Sequence, residues 1–182
     1  ELWGKNYLVQ AHQLTKEQAA RAISAVFLGW AIGAPISGFL SDKSGKKIWI
    51  LALGAFFSLL SIGLILYYPG LSYFNLTVLL FLYGIFSSTE IIVFILAKEC
   101  TGAKLSGTVF AVTNMIVSLA GAILQPVVGQ LLDYFGDYGT LIHGERIYSV
   151  FAYQAAFSVL PISLMFTMIL LFFIKNSANN EP

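Results

Sequence analysis

Long apolar intervals that contain no charged residue dominate the pattern of the chain. Four such intervals are 20, 42, 28 and 28 residues long and cover residues 22–41, 48–89, 105–132 and 147–174. A helix needs about 20 predominantly apolar residues to cross the hydrocarbon core of a bilayer. The 42-residue interval therefore holds two crossings, and the sequence Tyr-Pro-Gly-Leu-Ser at residues 68–72 predicts the turn between them.

These intervals predict an all-α membrane protein with five complete spans and the end of a sixth. The expected spans, all within one transmembrane domain over residues 1–182, are 1–10 (partial), 16–40, 48–68, 73–97, 106–132 and 148–174. Thr15 and Gln18 form a capping-box pattern at the start of the second one. A membrane β-barrel would alternate apolar and polar residues, and the continuous apolar run 48–53 does not.

Composition agrees with a membrane protein. Of all residues, 58% are hydrophobic and 10% are charged, against roughly 25% charged residues in soluble domains. The net charge of +1 provides no basic field for a nucleic acid. The single Cys100 cannot form a disulfide within the chain. Because the first residue is Glu1 and not methionine, we expect the sequence to be part of a longer chain.

The distribution of Lys and Arg predicts the orientation, because cytoplasmic loops are enriched in both. Six lysines flank the spans on one side and four basic residues lie on the other. The two sets are Lys43, Lys46, Lys47, Lys98, Lys104 and Lys175, and Lys5, Lys16, Arg21 and Arg146. We therefore expect the 41–47 loop and the C-terminus to be cytoplasmic. The 133–146 loop then faces outside, as do His12 and His143.

Glu90 lies inside the predicted 73–97 span, about two helical turns from its end. A charge near the middle of a bilayer costs on the order of 2.5–3.5 kcal/mol or more, and desolvation favours the protonated form of a carboxyl group. Tyr83 and Ser87 share its helical face at i, i+4 and i+7. The three residues predict a pathway for protons or solute, and a buried structural carboxyl is the alternative.

A second polar face is predicted on the 106–132 span. Asn114, Gln125 and Gly129 lie on one side of that helix. Asn114 and Gln125 are expected to line a solute cavity, and Gly129 is expected to serve helix packing. Pro126 has no N–H to donate and should kink or loosen the helix.

The 16–40 span carries a small residue at every fourth position. Ala25, Gly29 and Gly33 form this seam, which is typical of close helix packing. Trp30 lies beside the seam and either reaches a cavity or faces lipid.

The loop after the second span carries a recognisable motif. It reads Gly38-Phe39-Leu40-Ser41-Asp42-Lys43-Ser44-Gly45-Lys46-Lys47. This resembles the signature loop of the major facilitator superfamily, which has Gly, three residues, Asp, a basic residue, one residue, Gly and one or two basic residues. Asp42 can face the N-terminus of an adjacent helix, and Gly45 permits a tight turn. An ordinary positive-inside loop is the alternative.

Other segments resemble a bacterial branch of the same superfamily, namely Leu2-Trp3-Gly4, residues 28–35 and Gln125-Pro126. The resemblance covers nearly all 182 residues and implies the second six-helix half, from the end of the seventh helix to the twelfth. It also implies a chain of about twice this length, whose missing N-terminal half is the partner of this one. In the family the two halves rock about a site near the middle of the membrane, and the helix with Glu90 would line that cavity.

The expected function is secondary active transport by a proton-coupled symporter in a bacterial inner membrane. A small polar solute would cross the lipid bilayer by alternating access, with no cofactor, metal or nucleic acid. A non-transporting scaffold or interaction module, or a passive facilitator, is the alternative. The sequence has no phosphate-binding loop, no His-Glu-x-x-His and no Gly-x-Ser-x-Gly, so an enzyme is not expected.

Overall fold

The computed structural model describes residues 3–101, 105–136, 140–142 and 145–178. The helices are α1 (Gly4–His12), α2 (Lys16–Ser44), α3 (Lys47–Tyr67), α4 (Tyr73–Ser87), α5 (Ile91–Thr101), α6 (Ser106–Phe135), α7 (Val150–Phe157) and α8 (Val159–Ala178). Strands β1 (Thr140–Ile142) and β2 (Glu145–Ile147) pair antiparallel. Leu2, Lys104 and His143, which entered the sequence analysis, lie outside the described residues.

Five helical segments of the described chain are long and apolar enough to cross a membrane. They are Lys16–Ser44, Lys47–Tyr67, Tyr73–Thr101, Ser106–Phe135 and Val150–Ile174. This confirms the predicted all-α membrane class. The short α1 corresponds to the partial first span.

The α2 helix continues four residues beyond the predicted 16–40 span and includes most of the signature motif. Thr15 and Gln18 form the capping box at its start. Gly45 ends it with a left-handed φ of 64°, and its backbone N–H donates to the Ser41 carbonyl. This is the usual way in which a glycine terminates a helix. We call this side of the molecule, residues 42–47, the lysine-loop end.

The predicted 73–97 span is not one continuous α-helix. A 3₁₀ turn, Ser88–Glu90, separates α4 from α5, and α5 continues to Thr101. Glu90 therefore lies about three helical turns from the lysine-loop end of its span, and not two.

The predicted 148–174 span is interrupted as well. The α7 helix ends at Phe157 and α8 begins at Val159, with Ser158 between them. Pro161 has no N–H to donate to the Phe157 carbonyl four residues earlier, which breaks the α-helical hydrogen-bond pattern at this point. The Ser158 hydroxyl donates to the Gln154 carbonyl at 2.8 Å. Pro161 was visible in the sequence, and the prediction of an unbroken helix overlooked it.

Small residues bring α2 and α4 into backbone contact. The buried positions of α2 are Ala19, Ala22, Ala25, Gly29, Gly33, Ser37 and Ser41. A Cβ atom added at Gly29 would overlap the carbonyl oxygen of Phe81, and one at Gly84 would overlap that of Val26. A Cβ at Gly33 would likewise overlap the Ser88 hydroxyl. The seam therefore holds the 3₁₀ turn close to α2.

The last carbonyls of α3 are bound by side chains from other helices. Tyr7 donates to the Leu66 carbonyl at 2.9 Å, and Gln154 donates to the same oxygen at 2.7 Å. His12, which the sequence analysis placed in a loop, is the last residue of α1, and its Nε2 lies 3.2 Å from the Ile65 carbonyl. These contacts satisfy groups that a helix end leaves free and join α1, α3 and α7 at the end opposite the lysine loop.

Candidate functional site

Three consecutive hydroxyl residues shape the backbone beside Glu90. Ser87 donates to the Gly84 carbonyl at 3.2 Å, Ser88 to Ile85 at 2.6 Å and Thr89 to Phe86 at 2.9 Å. Each bond reaches back three residues and competes with the regular α-helical pattern. A short 3₁₀ stretch inside a long helix often marks a functional hinge. Glu90 is the last residue of this stretch.

Glu90 lines a cavity of about 300 Å³ between α3, the α4–α5 segment and α8. Tyr83 and Ser87, the two residues predicted to share its face, line the same cavity. The structure therefore brings these three predicted residues together in one site. We call it the Glu90 cavity. Its complete lining is Leu51, Ala55, Ser58, Tyr83, Phe86, Ser87, Thr89, Glu90, Val93, Leu164 and Thr167.

Three polar residues of the Glu90 cavity were not predicted, namely Ser58, Thr89 and Thr167. Ser58 of α3 is 1% exposed, and its hydroxyl has no hydrogen-bond partner among the described residues. Thr167 of α8 donates to the Ser163 carbonyl at 2.9 Å, which satisfies its hydroxyl proton. Ser58 and Ser61 of α3 are both buried and lie three residues apart on one helical face. Serines are common at helix contacts in membranes, so only the packing of α3 against α4 reveals that Ser58 lines the cavity.

Glu90 has no cationic partner in the described part of the chain. No described Lys, Arg or His forms an ion pair with it, and none lines its cavity. Glu90 is an exposed residue, and it lines the cavity. A carboxylate inside an apolar span without a paired charge is costly, and such residues usually mark ion or substrate pathways.

Gln125 lies in a different cavity, also of about 300 Å³, which is mostly apolar. Trp3 and Tyr7 of α1, Ile62 of α3 and Leu160 of α8 contribute to its walls. Gln125 and Glu90 therefore do not share one cavity in the described structure. The α6 helix packs mainly against α5 and α7 and lies away from the Glu90 side of α4, which separates the two predicted polar faces.

Asn114 and Trp30 line neither of these cavities and are exposed, Trp30 by 41%. Every residue of α6 from 114 to 123 is exposed. The α6 helix continues through Pro126, the position where a kink or loosening is predicted. Gly129 lies beside the Trp3 ring, where an added Cβ would be 3.5 Å from the nearest ring carbon.

The signature motif forms the end of α2 and its turn into α3. Asp42, Lys43 and Lys46 are exposed, and the Lys43 ammonium lies 5.9 Å from the centre of the Phe39 ring. Open space surrounds Gly38, where an added Cβ would meet no atom within 4 Å. Asp42 therefore leaves its carboxylate free to contact a surface outside the described chain.

Lys47, the last lysine of the motif, forms an ion pair with Glu99 of α5. The pair links the start of α3 to the end of the span that carries Glu90. The sequence analysis did not predict Glu99, because 52 residues separate the partners and no local spacing relates them.

A cluster of polar side chains lies at the end of the molecule opposite the lysine loop. Arg146 donates to Asp133 Oδ1 at 3.1 Å, and the Tyr148 hydroxyl donates to the same oxygen. Burial, together with the hydrogen bond to Asp133, raises the pKa of the Tyr148 hydroxyl. The cluster ties the end of α6 to the segment that leads into α7.

The comparisons with known proteins give one match. The model of the family described as Major Facilitator Superfamily matches residues 4–182. No curated protein and no solved structure matches the chain.

Proposed function

The chain belongs to the major facilitator superfamily of membrane transporters, and on that premise we propose that it is the second half of a proton-coupled secondary transporter. It would pair with an N-terminal half and move a small polar solute by alternating access. Rocking of two halves about a site near the membrane midplane is the general scheme for carriers of this kind. The observation that carries the proposal is Glu90, unpaired within the described chain and open to a cavity inside a membrane span.

In this proposal Glu90 is the group that takes up and releases the proton. Glu90 lies eleven positions before Thr101, which corresponds to about 16 Å along a helix. It therefore lies well inside a hydrocarbon core of about 30 Å. Tyr83 and Ser87 supply hydroxyl groups in the same cavity, through which water or a solute can reach the carboxyl group.

The solute would pass along the face that this half presents to its partner. The exposed stretch 114–123 of α6 supports this proposal, because a membrane helix that packs on few neighbours of its own half has surface to offer another half. Asn114 and Gln125 provide amide groups on that helix, and Trp30 is an exposed aromatic side chain on α2. Amides and aromatic rings are common lining groups of solute sites.

The lysine-loop end would lie in the cytoplasm, together with the C-terminus. The cluster of Lys43, Lys46 and Lys47 supports this orientation, and the bacterial inner membrane is the proposed location. Asp42, exposed at the same end, would contact the N-terminal half when the carrier closes there. Gly45 lets the chain turn within one residue after α2.

Uptake by reconstituted full-length protein tests the proposal. Proteoliposomes would receive pools of radiolabelled amino acids, sugars and organic acids, with and without a pH gradient of either sign. We expect the solutes of one pool to accumulate only when a pH gradient is imposed. The direction of the pH gradient that drives uptake distinguishes symport from exchange. Glu90→Gln should abolish the gradient dependence, because glutamine cannot carry the proton.

Three results would contradict this function. Identical gradient-driven uptake by wild type and Glu90→Gln would remove Glu90 from proton coupling. If the solute only reaches equal concentrations inside and outside the proteoliposomes under every pH gradient, the protein is a passive facilitator. Absence of uptake for every pool, with a protein that is folded and correctly inserted, would favour the scaffold role.

A further inference from the structure

We infer that Ser88 and Thr89 are positioning residues, which fix the direction of Glu90 by holding the 3₁₀ turn between α2 and α3. This deepens the proposed function, because it names the residues that direct the proton-carrying group. It rests on that function only for the role of Glu90. The arrangement itself depends on two hydroxyl hydrogen bonds, on the glycines that face them and on the geometry of a 3₁₀ turn.

On the α2 side, Gly33 lies against the hydrogen bond that Ser88 makes. The Ser88 hydroxyl donates to the Ile85 carbonyl at 2.6 Å. A Cβ atom added at Gly33 would overlap this hydroxyl and would lie 2.7 Å from the Ile85 carbonyl oxygen. Ser88 is completely buried. The absence of a side chain at Gly33 therefore leaves the space that both the donor and the acceptor of this bond occupy.

On the α3 side, Gly54 faces the next hydrogen bond in the same way. The Thr89 hydroxyl donates to the Phe86 carbonyl at 2.9 Å. A Cβ atom added at Gly54 would overlap the Thr89 hydroxyl and would lie 2.8 Å from the Phe86 carbonyl oxygen. Thr89 is buried as well. Two different helices thus enclose the hydrogen bonds of two consecutive residues, and a bond shielded from water is electrostatically stronger than an exposed one.

The geometry of the turn then determines the direction of Glu90. A 3₁₀ helix has three residues per turn, so consecutive side chains point about 120° apart. With Ser88 directed to α2 and Thr89 to α3, the next residue lies on the third side of the turn. This residue is Glu90, and it lines the Glu90 cavity. In a regular α-helix the step is about 100°, so with Ser88 still against Gly33 the Glu90 side chain would be displaced by about 40°.

Another hydroxyl of the same span shows that a side-chain hydrogen bond alone does not produce such a turn. Thr77 donates to the Tyr73 carbonyl at 2.8 Å, four residues earlier. The α4 helix is regular at this position. The bonds of Ser88 and Thr89 differ because they reach back only three residues and face a glycine of another helix. Thr77 is therefore a matched control within one span.

The pH dependence of the reaction of Glu90 with dicyclohexylcarbodiimide tests the inference, in the purified full-length protein in nanodiscs. The reagent modifies protonated carboxyl groups in apolar surroundings, and mass spectrometry of the peptide that contains residue 90 gives the rate at each pH. Among the described lining residues of the Glu90 cavity, Tyr83 is the only other titratable group. The midpoint of the rate profile therefore reports the surroundings of Glu90, which change when its carboxyl group turns.

Two variants disturb the turn from opposite sides of one hydrogen bond. Thr89→Val keeps the size of the side chain but removes the hydroxyl, and Gly54→Ala places a methyl group against that hydroxyl. We expect each to move the midpoint by about 0.5 pH unit or more. Thr89→Ser keeps the hydroxyl and should retain the wild-type midpoint. Thr77→Val and Gly63→Ala should retain it as well, because Thr77 lies in regular helix and Gly63 has no atom within 4 Å of an added Cβ.

Several outcomes would overturn the inference. Wild-type midpoints in both Thr89→Val and Gly54→Ala would do so, as would an equal shift in Thr77→Val. A shift in Thr89→Ser as large as that in Thr89→Val would assign the effect to side-chain volume and not to the hydroxyl. No reaction of wild-type Glu90 at any pH would mean that its carboxyl group does not reach the cavity.

Melting temperature and size-exclusion profile show that each variant is folded. If Gly54→Ala does not fold, the comparison of Thr89→Val with Thr89→Ser decides the outcome. The carbodiimide reaction needs neither a pH gradient nor a solute. A failure here is therefore distinct from a failure of proton-coupled uptake.

Discussion

Single glycines control how closely the helices of this chain approach each other. At Gly29 the carbonyl oxygen of Phe81 occupies the space that a Cβ would need, and the Ile85 nitrogen would lie 3.0 Å from it. Both neighbours are backbone atoms of α4, which cannot rotate away as a side chain can. Any side chain at this position must therefore separate two membrane helices.

Gly29→Ala should lower the melting temperature of the full-length protein. Overpacking of this kind costs typically about 1–3 kcal/mol. Gly63→Ala is the matched control, because Gly63 also lies inside a helix but has no atom within 4 Å of an added Cβ. The control should be neutral or stabilising by up to about 1 kcal/mol. A Gly29→Ala variant that melts at or above Gly63→Ala would show that α2 and α4 are not in backbone contact.

At the residue scale, the sequence was enough to predict Glu90, Tyr83 and Ser87, but not the other polar residues of the cavity. An acidic residue in a long apolar interval is conspicuous, and Tyr83 and Ser87 follow from helical spacing. Ser58 and Glu99 could not be found in this way, since the facing wall of the Ser58 cavity and the ion-pair partner of Glu99 lie on other helices. Their roles depend on which helices become neighbours, and a single sequence without aligned relatives does not contain that information.

At the scale of elements, the ion pair between Lys47 and Glu99 joins the start of α3 to the end of α5. The two side chains are 20% and 52% exposed, so solvent screens part of their attraction. Glu99 lies on the same span as the 3₁₀ turn that contains Glu90. The pair therefore restrains the lysine-loop end of that span. It joins the signature motif to the span that carries the candidate site.

A double-mutant cycle measures this coupling. Lys47→Glu should lower the melting temperature, because it places two carboxylates side by side, and Glu99→Lys should do the same with two ammonium groups. The combined Lys47→Glu/Glu99→Lys variant should recover most of the loss, with the native pair worth about 0.5–1 kcal/mol. Strictly additive losses in the double variant would mean that the two residues do not interact.

Helix interruptions were the least predictable elements. Five spans follow directly from the charge-free intervals, since a bilayer fixes the length of a crossing. The 3₁₀ turn at Ser88–Glu90 depends on three side-chain hydroxyls that bond backbone carbonyls, and such residues also occur in regular helices. The break at Ser158 could have been predicted from Pro161, because proline has no N–H to donate inside a helix.

At the scale of the whole molecule, the exposed face of α6 and the exposed Asp42 support the proposed pairing with a second half. The membership of the superfamily, expected from the signature loop, is confirmed by the family match over residues 4–182. The separation of Glu90 from Gln125 was not foreseen, because two polar faces on different helices need not meet. We therefore propose that the proton binds in the Glu90 cavity and that the solute passes along α6.

The central claim is that Glu90 faces a water-filled cavity and not lipid. Cysteine accessibility in membranes that contain the full-length protein tests it most directly. Glu90→Cys is made in a background with Cys100→Ser, and it is treated with a charged methanethiosulfonate reagent or with the lipid-soluble N-phenylmaleimide. Phe166→Cys in the same background is the control, because this position of α8 is 59% exposed and is expected to face lipid.

The account predicts that the charged reagent modifies Glu90→Cys at least tenfold faster than Phe166→Cys, and that N-phenylmaleimide modifies both. If the charged reagent leaves Glu90→Cys unmodified while N-phenylmaleimide labels it as fast as the control, position 90 faces lipid. The proposed proton site would then be wrong.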